Sequence, residues 1–350
     1  MRRLLINVLT GCFYYSGLVW VLLQRRRRSR PILLVLNYHR AFAVNGNLRK
    51  HLLFLRRYCR VLPLEQALEE LYSFDQKREL RDRRTPVVLT FDDGYRDNYT
   101  HGFALAKELQ IPFAVFLPPA YIESGENYWW QEGGRLVQHA QVEKVVLEKV
   151  IYHLKKQEDR KALKQVIFTH LRDAQSVAER QAFLKDIHAA LGSPSSFTSE
   201  DELMLPMTWE QVLEMEQSGL VTFGAHTLHH PVLSRLKDPT EVQYEVRGCR
   251  EVLEQKLGHQ VRTFAYPVGK PDDFGMQAPH EVEEAGYNWA FTTVSGVNTP
   301  QSNAYQLLRI SIDASQHWLL LASIVSGIWL FISPLWNKAV FSLKPSQKML

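Results

Sequence analysis

The stretch that decides the fold is VVLTFDDGYRDNY, residues 87–99. A continuous apolar run, Val87–Phe91, is followed at once by Asp92, Asp93 and Gly94. An apolar run of this length without polar alternation is typical of a parallel strand that is covered on both faces. Asp-Asp-Gly also suits an ordinary turn. Two interpretations therefore stand at this point: a plain turn, or two carboxylates at the start of a site.

Six further segments have the same strand-like composition, and helical patterns separate them. The predicted strands are Ile32–Tyr38, Val87–Phe91, Phe113–Leu117, Val221–Ala225, Arg262–Tyr266, Trp289–Thr293 and Leu307–Ser311. The clearest helical patterns are Leu48–Arg60, Leu64–Tyr72 and Glu241–Leu257. This alternation predicts a parallel α/β architecture. The pattern alone leaves a barrel and an open sheet equally open.

Composition and charge exclude several classes of protein. Of 350 residues, 45% are hydrophobic and 23% are charged, which is ordinary for a globular protein. The net charge of +5 is concentrated in QRRRRSR, residues 24–30, a pattern that argues against a nucleic-acid-binding face. The three cysteines include no CxxC pair, so neither a disulfide framework nor a cysteine-based zinc site is expected.

Both ends of the chain contain long uncharged stretches. Leu4–Leu23 has 20 uncharged residues, enough to span about 30 Å as a helix. Tryptophan and arginines at its end favour an uncleaved membrane anchor over a signal peptide. The arginines that follow place the next domain on the cytoplasmic side of a bacterial-type inner membrane, although the Met-Arg-Arg start argues for the other side.

Trp318–Trp336 is the second uncharged stretch, and its serines, glycine and proline weaken it as a spanning helix. A span, an interfacial helix and a buried C-terminal helix all remain open. The predicted organisation is an anchor with a basic run at 1–30, a catalytic-type domain at 31–312 and a hydrophobic segment at 313–350. Within the domain, residues 123–205 are expected to be a helical insertion, a lid or a membrane-facing cap. Its helices are predicted at Val142–Leu154 and Leu163–Leu171, because their apolar residues recur at helical spacing.

Polar side chains follow several predicted strands at the point where each strand ends. His39 follows the first strand, Asp92 and Asp93 the second, and His226 begins HTLHHP after the fourth. In parallel α/β folds these ends meet at one edge, where ligands bind. His226 and His230 are four residues apart, and on one helical turn they would share a face. With a carboxylate they make a three-ligand set that leaves positions open for water.

Three motifs resemble those of the polysaccharide deacetylases, the NodB-homology family. They are TFDDGYRDNY, HTLHHPVLSRL and RTFAYPVG, in the family's order, and the resemblance covers about residues 32–310 apart from the insertion. It implies a distorted (β/α)7 barrel. It also implies metal-dependent removal of N- or O-acyl groups from sugars.

The resemblance assigns roles to individual residues. Asp93, His226 and His230 resemble the metal ligands, with zinc the expected ion. Asp92 resembles the general base, Arg262 the arginine that orients it, and Tyr266 the residue whose backbone N–H holds the oxyanion. Gly94, Tyr95, Trp289 and Arg309 are expected at the substrate side, with Trp289 as a wall.

The chain departs from the family at one motif. The family's Leu-x-His, whose histidine protonates the leaving amine, is replaced by LLRISID with Arg309, and an arginine cannot donate that proton at ordinary pH. A branch of the family has a Tyr-His motif on the first strand, which suggests His39 as the general acid. The alternative is a structural histidine.

The sequence therefore predicts a metal-dependent hydrolase that removes an N-acyl group, by default N-acetyl, from an amino sugar. The sugar belongs to a polysaccharide or to a lipid-linked glycan at a membrane, and nucleic acid is not expected as a partner. Two rivals remain: a sugar-binding or scaffold protein with a degraded site, and an amidohydrolase acting on a non-sugar amide. The aromatic stretch NYWWQEGG, residues 127–134, favours a sugar.

Overall fold

The computed structural model describes residues 2–26, 31–42, 46–73, 82–193 and 202–328. Its strands are β1 Leu34–Tyr38, β2 Arg60–Val61, β3 Pro86–Asp92, β4 Phe113–Leu117, β5 Lys144–Leu147, β6 Val150–His153, β7 Val221–Ala225, β8 Thr263–Ala265, β9 Trp289–Phe291 and β10 Ile310–Ser311. Its α-helices are α1 Arg2–Tyr15, α2 Leu18–Arg26, α3 Asn47–Tyr58, α4 Leu64–Tyr72, α5 Ala104–Leu109, α6 Pro119–Ser124, α7 Trp129–Gln138, α8 Gln157–Asp173, α9 Val177–Leu191, α10 Trp209–Gln217, α11 Pro239–Leu257, α12 Pro271–Phe274, α13 Ala278–Glu284 and α14 Trp318–Ser326.

The main sheet is parallel throughout and has the strand order β10-β1-β3-β4-β7-β8-β9, with the short β2 beside β3. A parallel bridge between Phe291 and Leu307 brings the chain before β10 next to β9. The sheet therefore curls round, and the segment that leads into β10 links its two edges. The predicted α/β fold is confirmed. The ends of each predicted strand lie within three residues of the ends of an observed strand.

Side chains on the strands alternate between two faces. The concave face carries Val35, Val88, Phe116, Ala265, Phe291 and Leu307, which form one buried cluster with α4. The opposite face, with Leu34, Leu36, Val87 and Leu89, packs under most of the other helices in a second cluster. Continuing along the concave face toward the strand ends, the apolar residues give way to Asn37, Thr90 and Asp92, all buried. The interior is therefore apolar at one end and polar at the other.

The insertion contains a β-hairpin where the sequence predicted a first helix. Residues 144–147 and 150–153 pair antiparallel around Glu148 and Lys149, both with positive φ. Valine and isoleucine side chains at 145, 146, 150 and 151 favour an extended backbone, and a two-residue turn with both φ positive matches strand twist. The helix predicted at Val142–Leu154 is therefore wrong. The helix predicted at Leu163–Leu171 is confirmed within α8.

The N-terminal stretch is also different from the prediction of one spanning helix. It forms α1 and α2, bent by 67° at a break that contains Gly17 with φ +79°. No single helix of the described chain is long and apolar enough to cross a membrane, and α1 and α2 reach that length only as a bent pair. The predicted inner-membrane localisation rested on one spanning helix, and this finding contradicts it.

The C-terminal stretch begins with α14, a nine-residue helix that ends at Gly327 with φ +90°. Leu319 to Ser326 are all buried. Trp318 contacts Tyr14 of α1 and Phe54 of α3, with ring centroids 4.8 and 6.2 Å apart. The buried-helix alternative therefore fits residues 318–326, and residues 329–336 of the predicted segment lie outside the described part. The described part of the chain contains no long apolar C-terminal helix.

Candidate metal and catalytic site

Three predicted ligands meet beyond the carboxyl ends of β3 and β7. The Oδ1 atom of Asp93 lies 3.5 Å from Nε2 of His226 and 3.5 Å from Nε2 of His230. The three ligand atoms all lie within 4.8 Å of one another, and all three residues are buried. The sequence placed His226 and His230 on one helical turn, but they lie in a loop in which Thr227 and His230 have positive φ.

The donor set fits a divalent metal ion. Oδ1 of Asp93 is buried and has no hydrogen-bond partner in the described structure, which is costly for a carboxylate unless a cation is bound. His226 donates from Nδ1 to the Ala265 carbonyl at 2.7 Å, and this bond leaves the Nε2 lone pair directed at Asp93. Two ligands of one tetrahedral zinc lie roughly 3.3 Å apart, close to the observed separations.

Ionisation at these ligands favours cation binding. Burial, reinforced by neighbouring His226, lowers the pKa of His230 to about 3, so its imidazole is neutral at ordinary pH. Burial on its own raises the pKa of Asp93, but the interaction with the neighbouring histidines, first of all His226, outweighs it, and the pKa is lowered. A neutral imidazole and an ionised carboxylate are the protonation states that ligate metals.

Two of the three ligand residues, and one residue between the histidines, have a strained backbone. Asp93, Thr227 and His230 have φ of 72°, 61° and 53°, in the left-handed region. Non-glycine residues there cost about 1–3 kcal/mol each, and such residues cluster at functional sites. Gly94 follows with φ +70°, and a Cβ at that position would lie 2.4 Å from Leu117 Cδ2. Gly94, predicted at the substrate side, is required first of all by this turn.

Asp92 is held by a different arginine from the one predicted. Arg309 is fully buried and donates to both Asp92 oxygens, at 2.7 Å to Oδ1 and 2.8 Å to Oδ2. Asn37 donates to Oδ2 at 3.0 Å. Burial alone raises the pKa of Asp92, but the charge and hydrogen bonds of Arg309, together with the neighbouring His226 and His39, overcome it, and the pKa is held well below its usual range. Asp92 is therefore an ionised carboxylate beside the ligand set.

The positions of both arginines correct the expectations from sequence. Arg309 has no exposed surface, so it lies under Asp92 and cannot touch a substrate. Arg262 is bound instead to Glu65 and Glu69 of α4, at 3.0 and 2.8 Å, and its guanidinium lies over the Trp289 ring at 4.8 Å. It does not reach Asp92. Arg262 precedes the first residue of β8, beside the helix that covers the apolar end of the interior.

Trp289 and Tyr266 also lie elsewhere than predicted. Trp289 is buried at the start of β9, in the apolar cluster with α4, so it is no wall of the site. The N–H of Tyr266 donates to the Phe291 carbonyl at 3.0 Å. A donor engaged in the strand ladder is not free for an oxyanion, so the predicted Tyr266 role has no support in this geometry. The Tyr266 hydroxyl donates to the Tyr305 carbonyl.

His39 and Tyr95 border the site in different ways. The His39 side chain is 50% exposed, and its Nε2 lies 3.9 Å from Oδ2 of Asp92, so it can meet both solvent and a substrate. The Tyr95 hydroxyl is buried and accepts hydrogen bonds from Trp130 Nε1 and Gln131 Nε2, both at 2.8 Å. Tyr95, predicted at the substrate side, joins the Asp-Asp-Gly loop to the insertion.

Two residues of the site escaped the sequence reasoning although a signal was present. Asn37 is the one polar residue of the strand LVLNY, and its side chain lies on the same inward face of the sheet as that of Val35. Glu245 lies on the buried face of α11, where it binds the backbone N–H and Nδ1 of His229 at 2.8 and 2.6 Å. In both cases a polar residue at an apolar position marked the site.

Comparison with known proteins identifies the family. The family model for polysaccharide deacetylases matches residues 80–290, more than half of the chain. The Bacillus subtilis (strain 168) protein YxkH, described as a polysaccharide deacetylase, is 28% identical over 107 residues, which are 31% of this chain and 37% of that protein. The matched part is thus little more than a third of that relative's length.

Solved structures share the fold. The Streptococcus pyogenes deacetylase PplD, in complex with acetate, superposes with a TM-score of 0.54 at 16% identity, covering 84% of this chain and 98% of that one. IcaB from Ammonifex degensii superposes with a TM-score of 0.52 at 20% identity, covering 85% and 97%. The three motifs, the curled parallel sheet and the family match agree, and the chain belongs to the polysaccharide deacetylase family.

Proposed function

We propose that this protein is a metal-dependent hydrolase that removes N-acetyl groups from an amino sugar within a polysaccharide. One observation carries the proposal: an orphaned, buried Asp93 oxygen faces two histidine nitrogens, directly beside the ionised Asp92. Asp93, His226 and His230 would hold the ion, and zinc suits one carboxylate with two imidazoles. When bound, such an ion supplies a Lewis acid for the acyl carbonyl and acidifies water at the site.

Asp92 acts as the general base in this proposal. The Arg309 pair and the Asn37 amide fix its carboxylate plane at the end of β3, next to Asp93. A carboxylate that is always ionised can accept the proton of an attacking water, and its fixed position removes part of the entropic cost. Arg309 does not touch the reacting atoms and is a positioning residue.

His39 acts as the general acid. It is the exposed group nearest to Asp92 among the described contacts, on the solvent side of the site. From there it can donate a proton to the departing sugar amine once the carbon–nitrogen bond breaks, which leaves acetate and a free amine. The buried Arg309 has no such access.

The test is acetate release and mass loss from N-acetylglucosamine oligomers by the purified, zinc-loaded full chain. We expect a mass decrease of one acetyl group per turnover, and none with Asp92→Asn, which should keep its zinc. Mass spectrometry of polysaccharide and lipid-linked saccharides from cells with and without the protein would identify the natural substrate. Zinc binding without a mass change in either fraction would favour the rival sugar-binding function.

A further inference from the structure

The insertion packs directly on the loop that carries the two histidine ligands. Trp129 at the start of α7 donates from Nε1 to the His230 carbonyl at 2.8 Å. Tyr128 donates to the Asp93 carbonyl at 2.7 Å. Donors from the insertion therefore bind the backbone of two metal-ligand residues, and each of these residues has a left-handed backbone.

Arg180 makes the most unusual of these contacts. It lies on α9 and is 4% exposed, and the described residues place no carboxylate within ion-pair distance of it. Its Nη2 donates to the His229 carbonyl at 2.6 Å and its Nη1 to the His230 carbonyl at 3.3 Å. Its guanidinium also stacks on the Trp129 ring at 5.2 Å. A buried arginine without an anion is costly, so its presence here calls for a compensating role.

Arg180 interrupts an apolar pattern in the sequence of α9. Val177, Ile187 and Leu191 are the buried apolar residues of α9, and Arg180 shares their helical face. A helix that served only to pack would place an apolar side chain there. The guanidinium instead uses a rigid fork, which suits two neighbouring carbonyls.

We propose that Arg180 is a positioning residue for the metal centre, through which the insertion fixes the His229–His230 backbone in its ligating conformation. His230 has φ 53°, and its Nδ1 is buried without a hydrogen-bond partner, so side-chain bonds do not orient this ligand as Ala265 orients His226. The backbone carbonyl bonds from Arg180 and Trp129 supply that orientation. The inference rests on the proposed metal site, and it makes the insertion part of that site.

The test measures zinc affinity by competition with a chromogenic chelator on the purified, metal-stripped full chain. Arg180→Met keeps the length of the aliphatic stem but removes both carbonyl bonds. We expect zinc affinity to fall by about 10–100-fold, the usual effect of losing an outer-shell partner of a metal ligand. Arg180→Lys, which can reach one carbonyl, should lose less. Trp129→Phe removes only the indole donor and should also weaken zinc binding.

Arg160 provides the matched control. It belongs to α8 of the same insertion and also binds backbone carbonyls, those of Leu154 and Val137, away from the ligands. Arg160→Met should leave zinc affinity within about threefold of wild type, and circular dichroism checks that each variant is folded. Unchanged affinity in folded Arg180→Met and Trp129→Phe would overturn the inference, as would an equal loss in Arg160→Met. A wild-type chain that binds no zinc would instead reject the proposed function.

Discussion

Arg262 and Arg309 are two arginines beside neighbouring parts of the same sheet, and they have opposite environments. Arg262 is about a third exposed and binds two glutamates of α4. Arg309 is fully buried and forms a bidentate pair with Asp92. The family motif assigns the base-orienting role to an arginine near β8. In this structure the arginine that pairs with Asp92 comes from the segment before β10.

Strand parity explains the difference. The side chains of Thr263 and Ala265 point inward from β8. Arg262 precedes the strand, and its side chain points outward, as that of Phe264 does. The side chain of Arg309 points inward, as that of Leu307 does, and its guanidinium donates to Asn37 and Thr90. A shift of one residue moves a side chain to the other face of a sheet. Another strand can thus supply the same guanidinium group, provided that the arginine side chain points inward.

The largest effect is expected when Arg309 is replaced by methionine, with Arg262→Met as the comparison. Arg309→Met leaves Asp92 buried without its cation, so activity should fall by about 1,000-fold and stability at pH 7 by about 3–5 kcal/mol. Arg262→Met removes only partly exposed pairs and should cost about 0–1 kcal/mol, with activity within about twofold of wild type. Acetate release and urea unfolding measure both. An Arg262→Met variant as impaired as Arg309→Met would restore the motif's assignment.

His39→Ala tests the exposed neighbour of Asp92, His39, for comparison with its buried partner, Arg309. We expect turnover to fall by at least about 100-fold, since a general acid contributes that much, while zinc content and stability stay at wild-type values. Metal analysis and kinetics on the same preparation separate this result from that of Arg309→Met, which also loses stability. Near-normal turnover would leave His39 as a structural histidine.

Asn37→Ala removes the second donor to Asp92 and leaves Arg309 in place. A hydrogen bond to a charged group is worth about 1.5–3 kcal/mol, so kcat/KM should decrease by roughly 10–100-fold. Thr90→Val is the control, because the Thr90 hydroxyl donates to Leu36 and Asn37 and not to Asp92. If Thr90→Val were the more damaging change, the Asn37–Asp92 bond would not be the one that matters.

The smallest expected effect is a shift in pH dependence. Arg309 holds the pKa of Asp92 well below its usual range, so wild-type Asp92 stays ionised far into acid. Arg309→Lys loses the bidentate geometry, which lets burial raise the pKa of Asp92. The acidic limb of kcat/KM at saturating zinc should then move toward neutral pH by about one unit, because Asp92 becomes protonated at higher pH. Arg262→Lys should leave the limb unchanged.

The seven strands followed from local apolar patterns, whereas the choice of Asp93, His226 and His230 as proposed ligands came from the family resemblance. Apolar runs mark the buried strands, and Asp93, His226 and His230 each follow one within a few residues. Local patterns do not predict that Arg309 binds Asp92 or that Arg180 binds His229, because each partner lies far away along the chain. The hairpin at 144–153 was missed because β-branched residues at a chance helical spacing gave two conflicting signals.

The bend between α1 and α2 has a consequence for how the protein should be shortened. Arg26 of α2 donates to the Val325 carbonyl of α14 at 2.8 Å, and Tyr14 of α1 packs on Trp318. The two ends of the described chain therefore cover each other over α3. A variant that starts at residue 31 would uncover the apolar face of α14 and invite aggregation. A minimal version of this protein should keep α1, α2 and α14 or remove all three together.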